Sequence, residues 1–313
     1  MNLFKKSDLV IPIDKIDLSF YPNQGVELSV LREDLISEQV SGNKFRKLKY
    51  NLAEAKKQNY RTLLTFGGAF SNHIAATAKA GELCGFKTIG VIRGDELGDD
   101  LEQTLQQNAT LRFAYECGME FYFVNRSLYR EKNLENFSIN LKERYGDFYV
   151  IPEGGTNDLA VRGCSEILSS ATSIYDYIIC AVGTGGTIAG LIESSLPHQT
   201  VLGFPALKGG FLNAEIKKYT KKSNWELITD YHFGGYAKIN SELISFVNTF
   251  KKQQHIQLDP IYTGKMMYGL IDLIANGFFS KNTRILAIHT GGLQGISGIN
   301  SRLKKSGKST ITV

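Results

Sequence analysis

A glycine-rich turn stands between a strand-like apolar run and a helix-like run in the second half of the chain. It consists of Gly183, Thr184, Gly185, Gly186 and Thr187. Glycines let the backbone turn sharply and point N–H groups at an anion, and the start of a helix adds partial positive charge. The turn is not a P-loop, because no Gly-Lys-Ser/Thr follows, and it is not G-x-G-x-x-G, because Ile188 occupies the third glycine position. It predicts a phosphate cradle, with a tight turn that binds nothing as the alternative.

A lysine of interest lies in the segment SGNKFRKL, residues 41–48. Lys44 follows Gly-Asn just before a predicted helix, where an ordinary surface lysine is the simpler interpretation. Beside a phosphate cradle, however, a lysine can form a Schiff base with the aldehyde of a cofactor. Lys44 is therefore the candidate for a covalent cofactor link.

The segment GGAFSNH, residues 67–73, follows an apolar run and places Ser71 at a predicted helix start. N–H groups and the helix macrodipole favour a carboxylate at such a position. The alternatives are that Ser71 only caps the helix and that His73 is an ordinary helix residue. A Ser-His hydrolase is disfavoured, because the sequence lacks G-x-S-x-G around Ser71.

Two loops in the last quarter of the chain also carry polar groups. Residues 259–265 (DPIYTGK) contain Tyr262, which can belong to the core or can stack on a ring and move protons. Residues 289–292 (HTGG) follow an apolar run, so that their glycines allow a ligand to approach closely and Thr290 offers a hydroxyl. Each of these loops is ambiguous when it is taken alone.

The loops fall between alternating strand-like and helix-like runs. The predicted strands are 26–30, 61–66, 86–92, 119–124, 147–151, 175–182, 200–204, 225–229 and 283–288. The predicted helices are 71–84, 101–117, 136–145, 159–171, 187–195, 211–219, 241–253 and 264–275. Apolar strands between helices indicate parallel sheets that are covered on both faces. We therefore predict an α/β fold with two open, twisted, mainly parallel sheets and helices on both faces, and a functional site at the carboxyl ends of the strands.

Composition excludes several classes of protein. The chain has 313 residues, 42% hydrophobic and 21% charged, which argues against disorder, collagen-like repeats and coiled coil. It has no run near the roughly 18 apolar residues of a membrane span, and its first residues lack a signal-peptide core. We therefore expect a cytoplasmic protein that does not bind membranes.

Charge and cysteine content narrow the possible partners. The net charge of +5 is mild, and its lysine runs lack interleaved aromatic residues, so we expect no nucleic-acid partner. The surplus of positive charge is equally consistent with an anionic small substrate or cofactor. The 4 cysteines are far apart, without a C-x-x-C pair or a nearby histidine cluster, so we expect neither a disulfide framework nor a metal site.

As an ordered set, the motifs resemble those of the pyridoxal-phosphate enzymes with the tryptophan-synthase β fold. The set is SGNKFRKL, GGAFSNH, PEGGTN, VGTGGTIAG, LDPIYTGKMMYGL and HTGG, and the resemblance runs from Leu18 to Gly295. Within that fold it resembles the group of D-cysteine desulfhydrases and 1-aminocyclopropane-1-carboxylate (ACC) deaminases. The resemblance implies a pyridoxal 5'-phosphate cofactor, a small amino-acid substrate and a homodimer.

The resemblance also implies roles for the matched residues. Lys44 is then the Schiff-base lysine and an acid/base, and the turn from Gly183 to Thr187 holds the phosphate. Asn72 bonds the ring hydroxyl oxygen of the cofactor. Tyr262 stacks on the pyridine ring and helps to transfer protons, and Thr290 faces the pyridine nitrogen.

For the substrate, the resemblance implies that Ser71 binds the carboxylate together with neighbouring N–H groups. Asn72 and His73 belong to the same substrate-binding segment, and the catalytic set is Lys44, Ser71 and Tyr262. The resemblance further implies a smaller inserted domain, residues 47–155. Residues 1–46 and 156–313 then form the larger cofactor-binding domain, with the cofactor in the cleft between the two.

Two positions favour one substrate over the other. ACC deaminases carry Glu after the tyrosine and Leu before the final Gly-Gly, where this chain has Thr263 and Thr290. A carboxylate opposite the pyridine nitrogen keeps that nitrogen protonated and makes the ring a strong electron sink, which opening a cyclopropane needs. Because eliminating a thiolate tolerates a weaker sink, we predict a deaminating lyase that converts D-cysteine to pyruvate, ammonia and sulfide.

Several alternatives stay open at this point. They are an ACC deaminase, a β-replacement enzyme that uses O-activated serine, a pyridoxal-phosphate-binding protein without efficient turnover, and a nucleotide-binding module. The chain also departs from the family at Phe70, where Gln is usual, and at Ile74 and Ala75, where an Arg is common. Residues 204–210 differ from both subgroups, so the pocket could accept another small amino acid.

Overall fold

The computed structural model describes residues 2–4, 10–22 and 25–313. The strands are β1 (Ile13–Lys15), β2 (Glu27–Leu31), β3 (Thr62–Gly68), β4 (Lys87–Arg93), β5 (Met119–Val124), β6 (Tyr149–Ile151), β7 (Tyr177–Val182), β8 (Thr200–Pro205), β9 (Trp225–Leu227) and β10 (Arg284–Ile288). The helices are α1 (Asn43–Lys57), α2 (Asn72–Cys84), α3 (Leu101–Gln107), α4 (Ala109–Glu116), α5 (Arg126–Arg130), α6 (Glu135–Tyr145), α7 (Asp158–Cys164), α8 (Gly186–Ser194), α9 (Leu212–Lys217), α10 (Ser241–Gln254), α11 (Thr263–Ala275) and α12 (Ile296–Lys305).

The strands form two sheets. One has six strands in the order β1-β2-β10-β7-β8-β9, and only its β1–β2 pair is antiparallel. The other has four parallel strands in the order β5-β4-β3-β6. The prediction of two mainly parallel α/β sheets is thus confirmed. All strands of the smaller sheet lie within residues 47–155, and the domain boundaries themselves stay a prediction.

Burial explains why the central strands are apolar throughout. In β7, Ile178, Cys180 and Val182 pack toward α8 and α9, whereas Ile179 and Ala181 pack toward α10 and α11. Because side chains alternate along a strand, a strand covered on both faces must be apolar at every position. Helices therefore cover both faces of the larger sheet, and the polar loops are left at its ends.

Two predicted helices are shorter than expected. The predicted helix 101–117 is interrupted at Asn108, whose extended backbone lets its side chain accept the N–H groups of Thr110 and Leu111 and begin α4. The predicted helix 159–171 ends at Cys164, and a separate 3-10 turn, capped by Ser169, follows at 170–172. The pattern also missed the short β1 and α5, and α12 near the carboxyl terminus. Within the described ranges, no helix is both long and apolar enough to cross a membrane.

The helix that carries Lys44 is held by a close contact with α7. At the contact, a Cβ on Gly163 would lie 2.0 Å from the carbonyl oxygen of Arg46. Only glycine therefore allows the two helix backbones to approach this closely. This contact sets how deeply α1 lies against the larger sheet.

We expect Gly163→Ala to lower the free energy of unfolding by about 3 kcal/mol, because the added methyl group must push α7 away from α1. The shift of the urea midpoint measures this loss. Gly210→Ala is the matched control, since a Cβ there meets no heavy atom within 4 Å. Equal stability of the two variants would contradict the packing argument.

Candidate active site

The predicted site residues meet at one cavity of about 110 Å³, at the carboxyl ends of β3, β7 and β10. Its wall includes Lys44, Ser71, Asn72, His73, Gly183, Thr184, Gly185, Thr187, Tyr262 and Thr290. Gly186 alone of the predicted set lies behind the wall, as the first residue of α8. A wider cavity of about 710 Å³ continues outward past Phe70 and Leu207.

The glycine-rich turn presents an uncapped helix start to this cavity. Gly185 has a left-handed backbone (φ +86°), and no side chain caps the first N–H groups of α8. A Cβ on Gly186 would lie 2.8 Å from Thr156 Oγ1, and one on Gly183 would lie 3.1 Å from the Tyr262 ring. The turn therefore needs its glycines for close packing, and its free N–H groups suit an anion.

Lys44 lies on the first turn of α1, which docks against the end of β10. Gly42 makes this possible, because a Cβ there would lie 2.0 Å from the Thr290 carbonyl oxygen, and the N–H of Asn43 donates to that oxygen at 3.2 Å. Lys44 Nζ donates to Asn43 Oδ1 at 2.9 Å, and Asn43 Nδ2 donates to Thr187 Oγ1 at 2.8 Å. Burial, followed by the charge of Lys47, lowers the pKa of Lys44 to about 7.

Lys47 is a site residue that the sequence analysis missed. It is buried, and its Nζ donates to Gly154 O and Thr156 Oγ1 at 2.9 Å each and to Thr184 Oγ1 at 3.4 Å. Its pKa is lowered by burial, and among the described residues no carboxylate forms an ion pair with it. The spacing from Lys44, three residues on a helix, was the available signal, since it places both side chains on one face.

The start of α2 supplies hydroxyl, amide and imidazole groups. Ser71 caps α2 through a long hydrogen bond, 3.4 Å from the Ile74 N–H to its Oγ. Ser71 therefore both caps the helix and lines the cavity. Asn72 Nδ2 donates to Gly292 O at 3.4 Å, and its Oδ1 is buried without a partner among the described residues. A partnerless acceptor on the cavity wall calls for a donor from a bound molecule.

His73 is neutral, and its tautomer follows from its neighbour. Thr65 donates its hydroxyl hydrogen to Ile151 O at 2.8 Å, so it must accept from His73 Nε2–H, also at 2.8 Å. The Nδ1 lone pair is then buried without a partner within the described residues. Burial, reinforced by the charges of Lys44 and Lys47, holds the pKa of His73 well below its usual value.

Tyr262 is fixed by a buried carboxylate that the sequence analysis did not select. Asp259 accepts the N–H of Tyr262 at 2.8 and 2.9 Å and that of Thr263 at 3.1 Å, and its own N–H donates to Thr263 Oγ1 at 3.0 Å. Burial raises the pKa of Asp259 to about 6, against the effect of these N–H groups. The hydroxyl of Thr263 is thereby occupied, and Thr263 does not line the cavity.

A second phenol, which the sequence analysis also missed, faces Tyr262. The Tyr236 ring lies 6.2 Å from the Tyr262 ring, between centroids, and lines the same cavity. The pKa of Tyr262 is raised well above its usual value, first by burial and then by the neighbouring Tyr236 and Asp259. Tyr262 therefore remains a proton donor at physiological pH. The glycine pair before Tyr236 was the only local signal for it.

Comparison with known proteins agrees with this chemistry. Residues 12–291 match the family described as pyridoxal-phosphate dependent enzyme. The chain belongs to this family. A Pyrococcus abyssi protein with the provisional name 1-aminocyclopropane-1-carboxylate deaminase is 31% identical, over 87% of this chain and 86% of the relative.

Two further similar proteins indicate to which group within this family the chain belongs. An Arabidopsis thaliana protein named bifunctional D-cysteine desulfhydrase/1-aminocyclopropane-1-carboxylate deaminase, mitochondrial, is 31% identical over 94% of this chain and 79% of its own. A crystal structure of an ACC deaminase homologue has a TM-score of 0.77 and 29% identity, covering 92% of this chain and 91% of the other. The enzyme therefore belongs with the ACC deaminases and D-cysteine desulfhydrases. Its cytoplasmic location and homodimeric state stay predictions.

The cavity fits pyridoxal phosphate on its own chemistry. A phosphate needs positive groups, and Lys47 supplies a buried ammonium beside the uncapped N–H groups of α8. The partnerless Asn72 Oδ1 can meet a ring hydroxyl. Lys44 supplies an amine that is partly neutral near pH 7. These roles are expectations for the site residues.

We expect Lys47→Met to weaken pyridoxal-phosphate binding by about 10- to 100-fold, because the phosphate loses a charge-assisted hydrogen bond. Titration of the apoenzyme, followed by the visible absorbance of the bound cofactor, measures the change. Lys57→Met is the control on the same helix, since the Lys57 side chain is 79% exposed. Unchanged affinity in the Lys47 variant would show that another group binds the phosphate.

Proposed function

We propose that the enzyme eliminates sulfide from D-cysteine, so that D-cysteine and water give pyruvate, ammonia and sulfide. The observation that supports this substrate is the polar pair at the cavity wall, Thr290 and Asp259. Asp259 carries the one carboxylate among the described lining residues, and backbone N–H groups occupy it. Thr290 would then offer a hydroxyl, and not a carboxylate, to the pyridine nitrogen of the cofactor, and the resulting weaker electron sink would suffice for a thiolate leaving group.

Pyridoxal phosphate, when bound, holds the substrate amine covalently and accepts negative charge that develops at Cα. Lys44 removes the Cα proton. Because its pKa is lowered to about 7, a share of its amine is neutral near pH 7 and can accept a proton there. An ordinary lysine, protonated up to about pH 10.4, could not do so.

Ser71 and the first N–H groups of α2 bind the substrate carboxylate. The long contact from Ile74 N–H leaves Ser71 Oγ free to turn toward the cavity, and the helix start favours a negative group. Asn72 and His73 lie beside it on the same turn and orient the bound amino acid. Because His73 is neutral, it adds no positive charge that would compete for the carboxylate.

Tyr262 donates a hydrogen bond to the leaving sulfur. Its raised pKa keeps the phenol protonated, and its backbone is fixed by Asp259. A phenol that retains its proton can stabilise, through that hydrogen bond, the negative charge that builds on the thiolate. Tyr262 also packs against Gly183 of the phosphate-binding turn, so its ring is held at the cofactor side of the cavity.

The substrate is tested by offering D-cysteine, L-cysteine and ACC side by side to the cofactor-loaded enzyme. We expect sulfide and pyruvate in equal amounts from D-cysteine, at a rate at least about tenfold above the other two. Keto acids are identified as well as counted, because ACC would give 2-oxobutyrate. Lys44→Ala is the control and should abolish both the covalent cofactor link and turnover. Faster release of 2-oxobutyrate from ACC would favour the deaminase instead.

Substitutions of Thr263 test whether the residue after Tyr262 can be exchanged without changes in its neighbours. We expect Thr263→Glu to lower the free energy of unfolding by about 3 kcal/mol, because it buries a second carboxylate beside Asp259 in a fully enclosed place. Thr263→Ser, which keeps the hydroxyl that accepts the Asp259 N–H, should stay within about 1 kcal/mol. Urea unfolding of both variants measures this. A Thr263→Glu variant as stable as the wild type would contradict the placement.

A further inference from the structure

The segment Tyr231–Lys238, between β9 and α10, has a strained backbone. Phe233 and Ala237 have left-handed φ angles of 53° and 54°, which side chains with a Cβ rarely adopt, and Gly234 and Gly235 between them have φ angles of 87° and 113°. Strain of this kind persists only where the surroundings hold the segment in place. The segment carries Tyr236 to the cavity wall.

A single buried lysine donates to two backbone carbonyls of the segment. Lys265 is 2% exposed, and its Nζ donates to His232 O at 2.9 Å and to Gly235 O at 2.8 Å. His232 directly precedes the left-handed residues 233–235, and Gly235 is the last of them. The Asp259 carboxylate attracts Lys265 without forming an ion pair with it in the described structure. The ammonium therefore directs its donors to the segment.

The position of Lys265 ties the segment to the catalytic phenol. Lys265 lies on the first turn of α11, which begins directly after Tyr262, and Gly235 directly precedes Tyr236. The first turn of α11 thus connects the Tyr262 backbone to Lys265. The ammonium group of Lys265 in turn bonds the peptide that precedes Tyr236. The two rings that this link joins lie 6.2 Å apart, between centroids.

The segment also makes contacts through its own side chains. Tyr231 Oη donates to Asp272 Oδ2 at 2.6 Å, and the Tyr231 and Phe233 rings pack against Tyr268. These contacts hold the first half of the segment through side chains.

The backbone carbonyls of the segment have fewer partners. Arg302 Nη2 donates to Ala237 O at 3.2 Å at the surface, and His232 Nδ1 accepts the Gly234 N–H at 2.9 Å within the segment itself. Among the described residues, Lys265 is the one buried side chain that donates to backbone carbonyls of the segment.

We propose that Lys265 is a positioning residue, which holds the strained segment Tyr231–Lys238 and thereby places Tyr236 against Tyr262 for catalysis. The catalytic part of the proposal rests on the proposed function, whereas the structural part does not. Two measurements on the cofactor-loaded enzyme separate them.

The first measurement is amide hydrogen exchange by mass spectrometry. In Lys265→Met, which keeps the length of the side chain and removes its donors, peptides covering 231–238 should exchange at least about tenfold faster, while other peptides stay unchanged. Lys238→Met, at an exposed position of the same segment, is the matched control and should leave exchange as in the wild type. Unchanged exchange in Lys265→Met overturns the proposal.

The second measurement is a double-mutant cycle with Tyr236→Phe, read as kcat/KM for D-cysteine. If Lys265 acts through Tyr236, each single variant lowers kcat/KM by about tenfold and the double variant is no worse than either. Losses that multiply to about 100-fold show that Lys265 acts by another route and overturn the proposal. If the wild type turns over none of the amino acids offered, the proposed function fails, and exchange alone decides whether Lys265 holds the segment.

Two further tests do not require Lys265→Met to fold. Lys265→Gln retains an N–H donor and should show exchange between that of the wild type and that expected for Lys265→Met. In the wild type itself, the Gly234, Gly235 and Lys238 amides, which donate within the segment, should be protected although Gly234 and Tyr236 are exposed. Exchange of these amides at the rate of an unstructured peptide overturns the proposal without any variant.

Discussion

The electrostatics of the active site depend on two lysine side chains one helical turn apart, Lys44 and Lys47. Lys47 is buried and Lys44 is half-buried on the cavity wall, and among the described residues neither forms an ion pair with a carboxylate. Desolvation disfavours the charged form of both and lowers the pKa of each, and the charge of Lys47 lowers the pKa of Lys44 further. The site therefore gains from any dianion that enters between Lys47 and the start of α8. The same electrostatics that favour the phosphate leave Lys44 with a proton affinity suited to catalysis near neutral pH.

The protein offsets the cost of this arrangement by fixing α1 from its opposite side. Arg46, between the two lysines in sequence, forms a paired contact with the fully buried Glu33, at 2.7 and 3.0 Å. Gly163 lets α7 pack against the Arg46 carbonyl, and Gly42 lets the start of α1 touch Thr290. The charged residues on the two faces of this one helix thus have separate roles. The paired arginine fixes the helix, and the unpaired lysines remain available to ligands.

The sequence was sufficient for the fold and for the loops at the strand ends, because apolar runs and glycine turns are local signals. It was insufficient where several elements meet. Lys47 is a plain helix lysine until Gly154, Thr156 and Thr184 converge on it. Tyr236 stands in a segment without periodicity, whose left-handed Phe233 and Ala237 no composition rule predicts. The helix expected over 101–117 was wrong because the Asn108 side chain competes for backbone N–H groups, which apolar spacing does not register.

Asp259 shows why the residue after Tyr262 is not an independent choice. The Asp259 carboxylate accepts the N–H groups of Tyr262 and Thr263, while the Asp259 backbone N–H donates to the Thr263 hydroxyl, and this ring of hydrogen bonds begins α11. A glutamate in place of Thr263 would therefore need a different partner at Asp259, and with it a different start of the helix that carries Lys265. The backbone of Tyr262, the hydroxyl of Thr263 and the position of Lys265 therefore share one helix start. An exchange at Thr263 then requires coordinated changes along α11, whereas the glycine-rich turn and the two lysines of α1 lie outside this ring of hydrogen bonds.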